Sequence, residues 1–531
     1  MSKKSESDYE IGQDNITPFG LDIHNPVFLV SGITIILFVL YTLMFQQQAG
    51  EFFGWLRPAI TSTFDWFFLA AGNIFVLFAL FLIVSPLGRV RLGGQDAKPD
   101  YSYVGWFAML FAAGMGIGLM FFGVSEPMSH FASSMGGTAM ENGIRTDWAP
   151  LGAAAGDVEA ARNLAMAATI FHWGLHPWAI YSVVALALAF FAYNHKLPLT
   201  FRSAFYPLLG DKIWKWPGHV IDTLAVFATL FGLATSLGFG TTQALAGFNF
   251  LYDWGTGSVA VVVLITVISA LAIGSVVRGL DGGVKVLSEI NMVLAALLMV
   301  VILLVGPTVE IFSTFFSGGI AYLKELIPLS MPFGREDANF SQGWTAFYWA
   351  WWISWSPFVG MFIARVSRGR TVREFLICVI LIPTVLCTLW MATFGGTAIS
   401  QVIADAAAPV GSVAQELKLF VMVQDFPLTG VLSLVGIVLV LVFFITSSDS
   451  GSLVIDTITA GGKTDAPVAQ RVFWCSFEGV VAAVLLLVGG AEALSALQAM
   501  TVSTGLPFTL VLLVMCLSTW KGLNAASKEI S

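Results

Sequence analysis

Charged residues are scarce in this chain of 531 amino acids. Asp, Glu, Lys and Arg make up 11% of it, and 57% of the residues are hydrophobic. An ordinary soluble domain has about 25% charged residues. Apolar runs long enough to cross a bilayer recur along the chain. The composition therefore predicts an all-α polytopic membrane protein.

Cysteines and basic clusters are also few. The four cysteines stand singly in apolar segments without a CxxC pair, which is typical of buried small hydrophobic residues. The net charge is −8, and the chain has no basic tract of the kind that binds nucleic acid. These absences argue against a disulfide framework, a cysteine metal site and a nucleic-acid partner.

Twelve apolar segments alternate with polar breaks marked by Gly or Pro. They lie at 27–46, 64–86, 103–124, 163–193, 219–249, 257–278, 285–306, 343–365, 373–396, 427–447, 470–490 and 497–520. The links at 307–342 and 397–426 contain amphipathic stretches that are predicted to lie along the membrane surface. Residues 1–26 form a polar leader without signal-peptide character, predicted to be disordered and cytoplasmic.

The distribution of basic residues predicts the orientation. If the N-terminus is inside, 19 of the 25 Lys and Arg residues fall on the cytoplasmic side. Such an excess agrees with the positive-inside rule. We therefore expect both termini, including the short tail 521–531, in the cytoplasm of a bacterium, with the spans in its inner membrane.

Two spans have compositions that weaken a helix. The third contains Gly114-Met115-Gly116-Ile117-Gly118, and each glycine costs about 1 kcal/mol relative to alanine. The eighth contains Ser354-Trp355-Ser356-Pro357, where the proline lacks a backbone donor. Interrupted helices at matching positions of two halves are typical of inverted-repeat transporters with a midplane site. This predicts two leading helices (27–100) and two five-helix repeats (101–306 and 343–520).

Aromatic residues are concentrated in the eighth span. Four tryptophans lie within residues 349–355, at mid-depth rather than at the water interfaces where tryptophan usually collects. Several indole faces in a dry site can hold a soft cation such as a quaternary ammonium. Trp173, Trp178 and Tyr181 of the fourth span can face them, with Pro177 expected to bend that helix. Packing explains any single ring better, but the combined set favours a cage.

Two histidines and a few carboxylates offer other interpretations. His172 and His176 have the i,i+4 spacing of a metal pair, so a membrane metalloenzyme is one alternative. No Glu or Cys lies within a turn of them, which favours packing. Asp449 and Asp456 follow the tenth span and are expected near the inner surface, so no acidic chain for protons is evident. A channel is disfavoured because the aromatic rings would block a pore.

A sodium ion would need several neutral oxygens beside a break in a helix. Thr446 and Ser447 offer two hydroxyls next to Phe443, and carbonyls freed at Ala112 and Met115 by the glycine break can complete a site. Hydroxyls within helices also commonly bond to their own preceding turn.

Several long motifs, in order, resemble the betaine/choline/carnitine transporter family over nearly the whole chain. They are Gly114 to Gly118 followed by Glu126-Pro127, Trp173 to Tyr181, and Tyr348 to Gly360 followed by Ser367-Arg368-Gly369-Arg370. The resemblance implies a twelve-helix, LeuT-like fold with two inverted repeats, a homotrimer and secondary transport.

The resemblance also implies roles for particular residues. Its aromatic box corresponds to Trp173, Trp178, Tyr181 and Trp352, with Trp355 as a further cation-contacting ring. Trp349 and Trp351 are expected to pack.

Other family positions concern ions and the gate. Sodium ligands correspond to Ala112, Met115, Phe443, Thr446 and Ser447. A second sodium site corresponds to Thr229 and Phe358, although Leu233 stands where sodium-coupled members have a further threonine. Phe362 corresponds to an inner gate, and Met115 and Gly116 are expected to contact substrate.

Gly118 carries the substrate prediction. Proton-coupled choline carriers of the family tend to have aspartate there, whereas a glycine suits a zwitterion whose carboxylate lies against free backbone donors. We therefore predict a sodium-driven importer of small methylated onium zwitterions, of the glycine betaine or dimethylsulfoniopropionate type, with no cofactor. A proton-coupled choline or carnitine carrier or exchanger is the alternative.

Overall fold

The computed structural model describes residues 8–114, 116–152, 154–278, 285–490 and 493–530. Within them the chain forms eighteen α-helices and two small two-stranded antiparallel ribbons. The first nine helices are α1 (Asn25–Met44), α2 (Gln46–Val84), α3 (Tyr103–Gly114), α4 (Ile117–Met135), α5 (Val158–Trp173), α6 (Leu175–His195), α7 (Tyr206–Leu209), α8 (Trp216–Tyr252) and α9 (Ser258–Arg278).

The second nine begin after the gap at 279–284. They are α10 (Lys285–Val305), α11 (Thr308–Ser330), α12 (Ala338–Phe340), α13 (Ala346–Val366), α14 (Val372–Ala404), α15 (Lys418–Met422), α16 (Thr429–Thr459), α17 (Val468–Gly489) and α18 (Ala493–Ile530). The ribbons pair β1 (Asn15–Ile16) with β2 (Ile23–His24), and β3 (Met140–Glu141) with β4 (Ile144–Arg145).

Ten candidate membrane spans lie within the described residues, or eleven if the bent pair of α3 and α4 is one span. The continuous stretch of α5 and α6 counts as one of the ten. The predicted fold class, an all-α polytopic membrane protein, is confirmed at this level. The tryptophan-rich α13 is not among the ten, although its 21 residues make it about 30 Å long.

The chain breaks at Gly116, as its glycine content predicts. The axes of α3 and α4 differ by 66°, and Gly116 is fully extended, with φ −171° and ψ −177°. Met115 lies outside the described residues. The predicted break in the eighth span is wrong, because α13 continues through Pro357 and the irregular turn is the π-helical segment Ser341–Thr345 before it.

The fourth span bends at a different residue from the one expected. α5 ends at Trp173 and α6 begins at Leu175, so the break is at Gly174 and not at Pro177. A side chain at Gly174 would place its Cβ 2.6 Å from the carbonyl oxygen of Ile170. Only glycine fits there, and Pro177 occupies the first turn of α6, where it lacks no helical hydrogen bond.

The described part of the leader is ordered, contrary to the prediction. Asn15 donates to the Ala460 carbonyl oxygen at 2.9 Å, and Asp22 pairs with Lys463 at 2.5 Å. Tyr9 stacks on Trp214 at 3.7 Å. The first two contacts tie the leader to the turn between α16 and α17, and the third ties it to the segment before α8.

Two further boundaries differ from the sequence analysis. α2 begins at Gln46 and runs for 39 residues, so the predicted break before residue 64 is helical. Much of the 307–342 link is the 23-residue helix α11, which buries Gly318 against Met166 of α5 and exposes Phe316 and Leu323. One face of this helix packs on the protein and the other exposes apolar side chains. Its position along the membrane surface stays a prediction.

The centre of the molecule is α13. It packs against α6, α8, α18 and α2, and almost all of its side chains are buried. α8 packs along α16 on one side, and α5 packs on α4 and α11 on the other. The broken helix and the bent fourth span therefore meet at α13.

Candidate substrate and ion sites

A small cavity lies where the break at Gly116, the fourth span and α13 meet. Its volume is about 40 Å³, room for about three water molecules. Its lining residues are Ala113, Gly116, Gly118, Leu119, Trp173, Pro177, Trp178, Tyr181, Trp351, Trp352, Trp355 and Cys387. All five rings predicted for the cation site are among them.

Four of these rings touch one another edge to face. Trp352 lies 4.9 Å from Trp173 at 79° and 5.9 Å from Tyr181 at 83°, and Tyr181 lies 5.4 Å from Trp178 at 75°. In such a pair the edge of one ring covers one face of its neighbour. All four rings still line the cavity, where a cation could contact them. Bending at Gly174 brings Trp173 and Trp178 to this one cavity.

Each tryptophan of α13 that faces the cavity is held by its indole N–H. Trp352 donates to the carbonyl oxygen of His172 at 2.9 Å, and Trp355 donates to that of Gly232 in α8 at 2.9 Å. Trp351 donates to Ser236 at 3.1 Å. These bonds fix the rings before any ligand arrives, which lowers the ordering cost of binding.

Trp349 and Trp351 are both expected to pack in the interior, but they differ in whether they line the cavity. Trp349 is fully buried against Gly72 of α2 and does not line the cavity. Trp351 lines it and stacks on Trp352 at 5.0 Å. Packing is confirmed for Trp349, and Trp351 belongs to the cavity wall.

Two features supply polar groups to this apolar cavity. The hydroxyl of Tyr181 is buried without a hydrogen-bond partner among the described residues. The N-terminal turn of α4 has no side-chain cap at Gly116, and a Cβ there would meet nothing within 4 Å. Free N–H groups at a helix N-terminus favour an anion. The cavity thus joins a ring of π faces to backbone donors.

A buried carboxylate, Glu126 of α4, lies directly behind the rings. Its Oε2 accepts hydrogen bonds from Trp173 Nε1 at 2.6 Å and from the Tyr348 hydroxyl. Its Oε1 lies 2.6 Å from His172 Nδ1 and 3.2 Å from His130 Nε2. A carboxylate has about four acceptor positions, and all four face a donor from α4, α5 or α13.

Sequence reasoning missed this role of Glu126. In the sequence, this residue is named only in the Glu126-Pro127 motif. Of its four partners, His130 lies four residues later on the same helix, and the other three lie far along the chain. A polar, ionisable residue within an apolar segment was the available signal.

His172 and His176 do not form the metal pair that their spacing allows. His176 Nε2 faces Asn73 at 3.0 Å, whereas His172 faces Glu126. Ligand atoms of Glu126, His130 and His172 lie within 4.8 Å of one another. Two ligands on one ion at about 2.1 Å would be about 3 Å or more apart, so the 2.6 Å contact of His172 is a hydrogen bond.

A profile of the betaine/carnitine/choline family transporters (BCCT) matches residues 26–528. The chain belongs to this family. It is therefore a multi-pass membrane transporter of a bacterial family and not an enzyme, and the metalloenzyme alternative is excluded.

Relatives of this transporter match almost end to end. It is 64% identical over 522 residues to the glycine betaine/proline/choline transporter of Vibrio parahaemolyticus, covering 98% of this chain and 94% of that protein. It is 55% identical over 523 residues to glycine betaine transporter 1 of the same species, covering 98% and 97%. Identity to the glycine betaine transporter of Acinetobacter baylyi is 42% over 511 residues, covering 95% and 74%.

In this transporter, Gly118 has no room for a side chain. A Cβ there would lie 2.8 Å from Trp173 and 2.9 Å from Trp351. The glycine therefore lets two rings approach the backbone at the start of α4. An aspartate at this position would require both rings to move.

The described residues predicted to bind sodium lie on two different helices, α3 and α16. Phe443 and Ser447 are buried in α16, and the Thr446 hydroxyl donates to Val442 of its own helix at 2.9 Å. Ala112 lies in α3, whose main neighbours are α14 and α13, and Met115 lies outside the described residues. The start of α4 approaches α16 through Ile117 and Val440, which both face Gly240.

The proposed second sodium position is filled with apolar atoms. Thr229 donates to the Ala225 carbonyl oxygen at 2.7 Å, and Phe358 packs on Trp355 at 5.2 Å. Leu233 reaches so far toward Gly451 that a Cβ on that glycine would lie 2.3 Å away. Leu233 therefore occupies the space where the family's further threonine would offer a hydroxyl.

The two faces of the protein differ in the space between the cavity and the solvent. A vestibule of about 960 Å³, lined by Arg57, Trp148 and Glu416 among others, lies on the face predicted to be outside. Phe122 and Phe347, which also line it, pack on Trp351 at 5.9 and 5.6 Å and separate it from the cavity. On the other side, Phe362 of α13, the predicted gate, is 36% exposed.

Proposed function

We propose that this transporter imports small methylated onium zwitterions, such as glycine betaine or dimethylsulfoniopropionate, by sodium symport. One observation carries the proposal: six aromatic rings line a cavity that also borders the uncapped start of α4. Each ring can contribute about 0.5–2 kcal/mol to binding a cation. The names of the relatives, glycine betaine and choline transporters, support the same class of substrate.

In this proposal the two charges of the substrate go to different walls. The onium group lies among Trp173, Trp178, Tyr181, Trp352 and Trp355. The carboxylate lies at Gly116, where free N–H groups at the start of α4 favour an anion. Met115, the other predicted contact, lies outside the described residues. Because the cavity is small in this conformation, the rings must move apart to admit the ligand.

We further propose that the fold has twelve spans arranged as two inverted five-helix repeats of LeuT type. Length and composition give eleven candidate spans when α3 and α4 count as one, and α13 would be the twelfth. Five spans then run from α3 to α10 and five from α13 to α18. Rocking of one repeat against the other would alternately open the vestibule and the face at Phe362. The trimer and the cytoplasmic termini stay predictions.

Sodium at Ala112, Met115, Phe443, Thr446 and Ser447 would stabilise the substrate-ready geometry of the broken helix. A second ion at Thr229 and Phe358 is disfavoured by the packing of Leu233. The rival, a proton-coupled choline or carnitine carrier or exchanger, is disfavoured by the closeness of two rings to Gly118.

Uptake into proteoliposomes tests the proposal. We expect labelled glycine betaine to accumulate with an inward sodium gradient and not with a proton gradient alone. Trp352→Leu should weaken uptake affinity by about 2- to 30-fold, whereas Trp66→Leu, at an exposed ring of α2, should not. Undiminished uptake without sodium would contradict the coupling, and unchanged affinity of Trp352→Leu would contradict the cage.

A further inference from the structure

Glu478 lies in the middle of α17 and is fully buried. It is the eleventh of the 22 residues of Val468–Gly489, so each helix end is about 15 Å away, half the thickness of a bilayer core. Its exposure is 0%. Neither the cavity nor the predicted sodium positions use it. An ionisable group at this depth calls for a functional explanation.

One oxygen of this carboxyl group has a hydrogen-bond partner, and the other has none among the described residues. The hydroxyl of Ser448 in α16 donates to its Oε2 at 2.7 Å. Its Oε1 is buried without a hydrogen-bond partner among the described residues. An ionised carboxylate accepts about four hydrogen bonds and is costly to bury with only one. Glu126 is the contrast within this chain, because all four of its acceptor positions face donors.

The surrounding charges do not compensate an ionised Glu478. The titratable groups that interact with it are Asp449 of α16 and Cys475 of its own helix. Arg471, at the start of that helix, pairs through Nη2 with Asp449 Oδ1 at 2.9 Å. α9, which packs on the same two helices, contributes buried hydroxyls there. Two carboxylates and one guanidinium would leave a net negative charge in the membrane interior.

The Ser275 hydroxyl of α9 lies beside Asp449 and is 6% exposed. It carries its own hydrogen and can donate it to this carboxylate, so the Asp449–Arg471 pair has a neutral hydroxyl as a further neighbour. Asp449 and Asp456, expected near the inner surface, lie in α16 and are buried within the protein. Their depth relative to the membrane stays a prediction.

We propose that Glu478 is a proton-binding site and that transport requires its proton to be bound. A proton on Oε1 neutralises the group and leaves Asp449 and Arg471 as a balanced pair. It needs no ring of oxygen ligands of the kind a metal ion requires. Ser448 directly follows Ser447, so loss of the proton to water would place a bare charge against the helix segment of the predicted sodium site. That coupling rests on the proposed function, whereas the proton site does not.

Infrared difference spectroscopy on the purified transporter in lipid tests the site without transport. Raising the pH should remove the carbonyl stretch of a neutral carboxylic acid, which an ionised carboxylate lacks. The isosteric Glu478→Gln should lack this pH-dependent band, and Glu51→Gln, at an exposed position, should keep it. Identical difference spectra for wild type and Glu478→Gln would overturn the proposal. A band that responds to sodium and not to pH would also overturn it, because the occupant would then be a metal ion.

Uptake at a fixed sodium gradient, with equal pH on both sides, tests whether transport requires the proton on Glu478. Wild-type uptake should fall at alkaline pH by up to about tenfold per pH unit once the proton is lost. Glu478→Gln should show a flat profile, and Glu478→Met provides a second neutral variant if glutamine does not fold. If wild type and Glu478→Gln show the same pH profile of uptake, transport does not require this proton. A protein that shows the band but no sodium-driven uptake would retain the proton site and disprove the proposed function.

Discussion

The indole N–H of Trp173 lies 2.6 Å from the carboxylate of Glu126, and both side chains are buried. A ring that lines the small cavity is therefore oriented by an anion behind it. The same carboxylate is bonded to Tyr348, on whose helix Trp352 lies one turn later. Glu126 thus links the two aromatic walls. Its negative charge polarises the indole N–H bond and pushes electron density into the ring, which strengthens the attraction of the π face for a cation.

Glu126→Gln should weaken glycine betaine binding by about 10- to 100-fold, since hydrogen bonds to a charged group contribute about 1.5–3 kcal/mol each. The glutamine NH₂ cannot accept the hydrogens that His172 and His130 direct at the carboxylate. Titration of the intrinsic tryptophan fluorescence measures the dissociation constant. Glu310→Gln, at an exposed position, is the control. Wild-type affinity in a folded Glu126→Gln protein would show that the rings hold their places without the anion.

Tyr181→Phe should separate binding from stability. Because the hydroxyl has no partner among the described residues, removing it should leave thermal stability equal or slightly higher. If the substrate uses this hydroxyl, affinity should fall by about 2- to 10-fold. Thermal unfolding and fluorescence titration on one preparation check both. A large loss of stability would mean that the hydroxyl is bonded within the protein.

Gly118→Ala should impair uptake, because the new methyl group lies under 3 Å from Trp173 and Trp351. Displacing either ring by a few tenths of an ångström alters the cage, and we expect the affinity to fall by about tenfold. Gly319→Ala is the matched control, since a Cβ at that helical glycine meets nothing within 4 Å. Equal uptake by the two variants would indicate that the rings have room to retreat.

Sodium dependence should distinguish the two predicted ion positions. Ser447→Ala should raise the sodium concentration for half-maximal uptake by about fivefold or more, as the loss of one ligand of about 1 kcal/mol implies. Thr229→Ala should leave it unchanged, because the Thr229 hydroxyl is bonded to Ala225 and Leu233 fills the space beyond. Uptake measured over a sodium series in proteoliposomes checks this. The reverse pattern would place the coupling ion at Thr229.

Helix class and the break at Gly116 were predictable because both depend on local composition. Apolar length identifies a span, and three alternate glycines weaken a helix wherever it packs. The bend at Gly174 was assigned to Pro177, three residues away. A proline in the first turn of a helix is harmless, and whether a helix starts there depends on the surrounding helices. The continuity of α13 through Pro357 has the same cause.

The sequence predicts which aromatic rings are present in the cavity region, but not how they are arranged around it. Their number and types were visible in the chain, and the family motifs indicated five of them. The sequence predicts packing for Trp351, and whether this ring lines a cavity depends on rotation about the helix axis. The role of Glu126 was not predicted, because three of its four partners come from helices far apart in the sequence; only His130, four residues later, is local.

The amino-acid sequence by itself determined a membrane protein of many helices, a weak point at Gly116 and a concentration of tryptophans at mid-depth. These follow from transfer free energies and backbone preferences, which each residue brings with it. Tertiary structure alone decided which rings face one cavity. It also decided that one buried carboxylate has hydrogen-bond partners on both oxygens, whereas the other has a partner on one oxygen. Glu126 and Glu478 are the same residue type in similar apolar surroundings, and only the neighbours that packing brings to them make one a structural anion and the other a candidate for a proton.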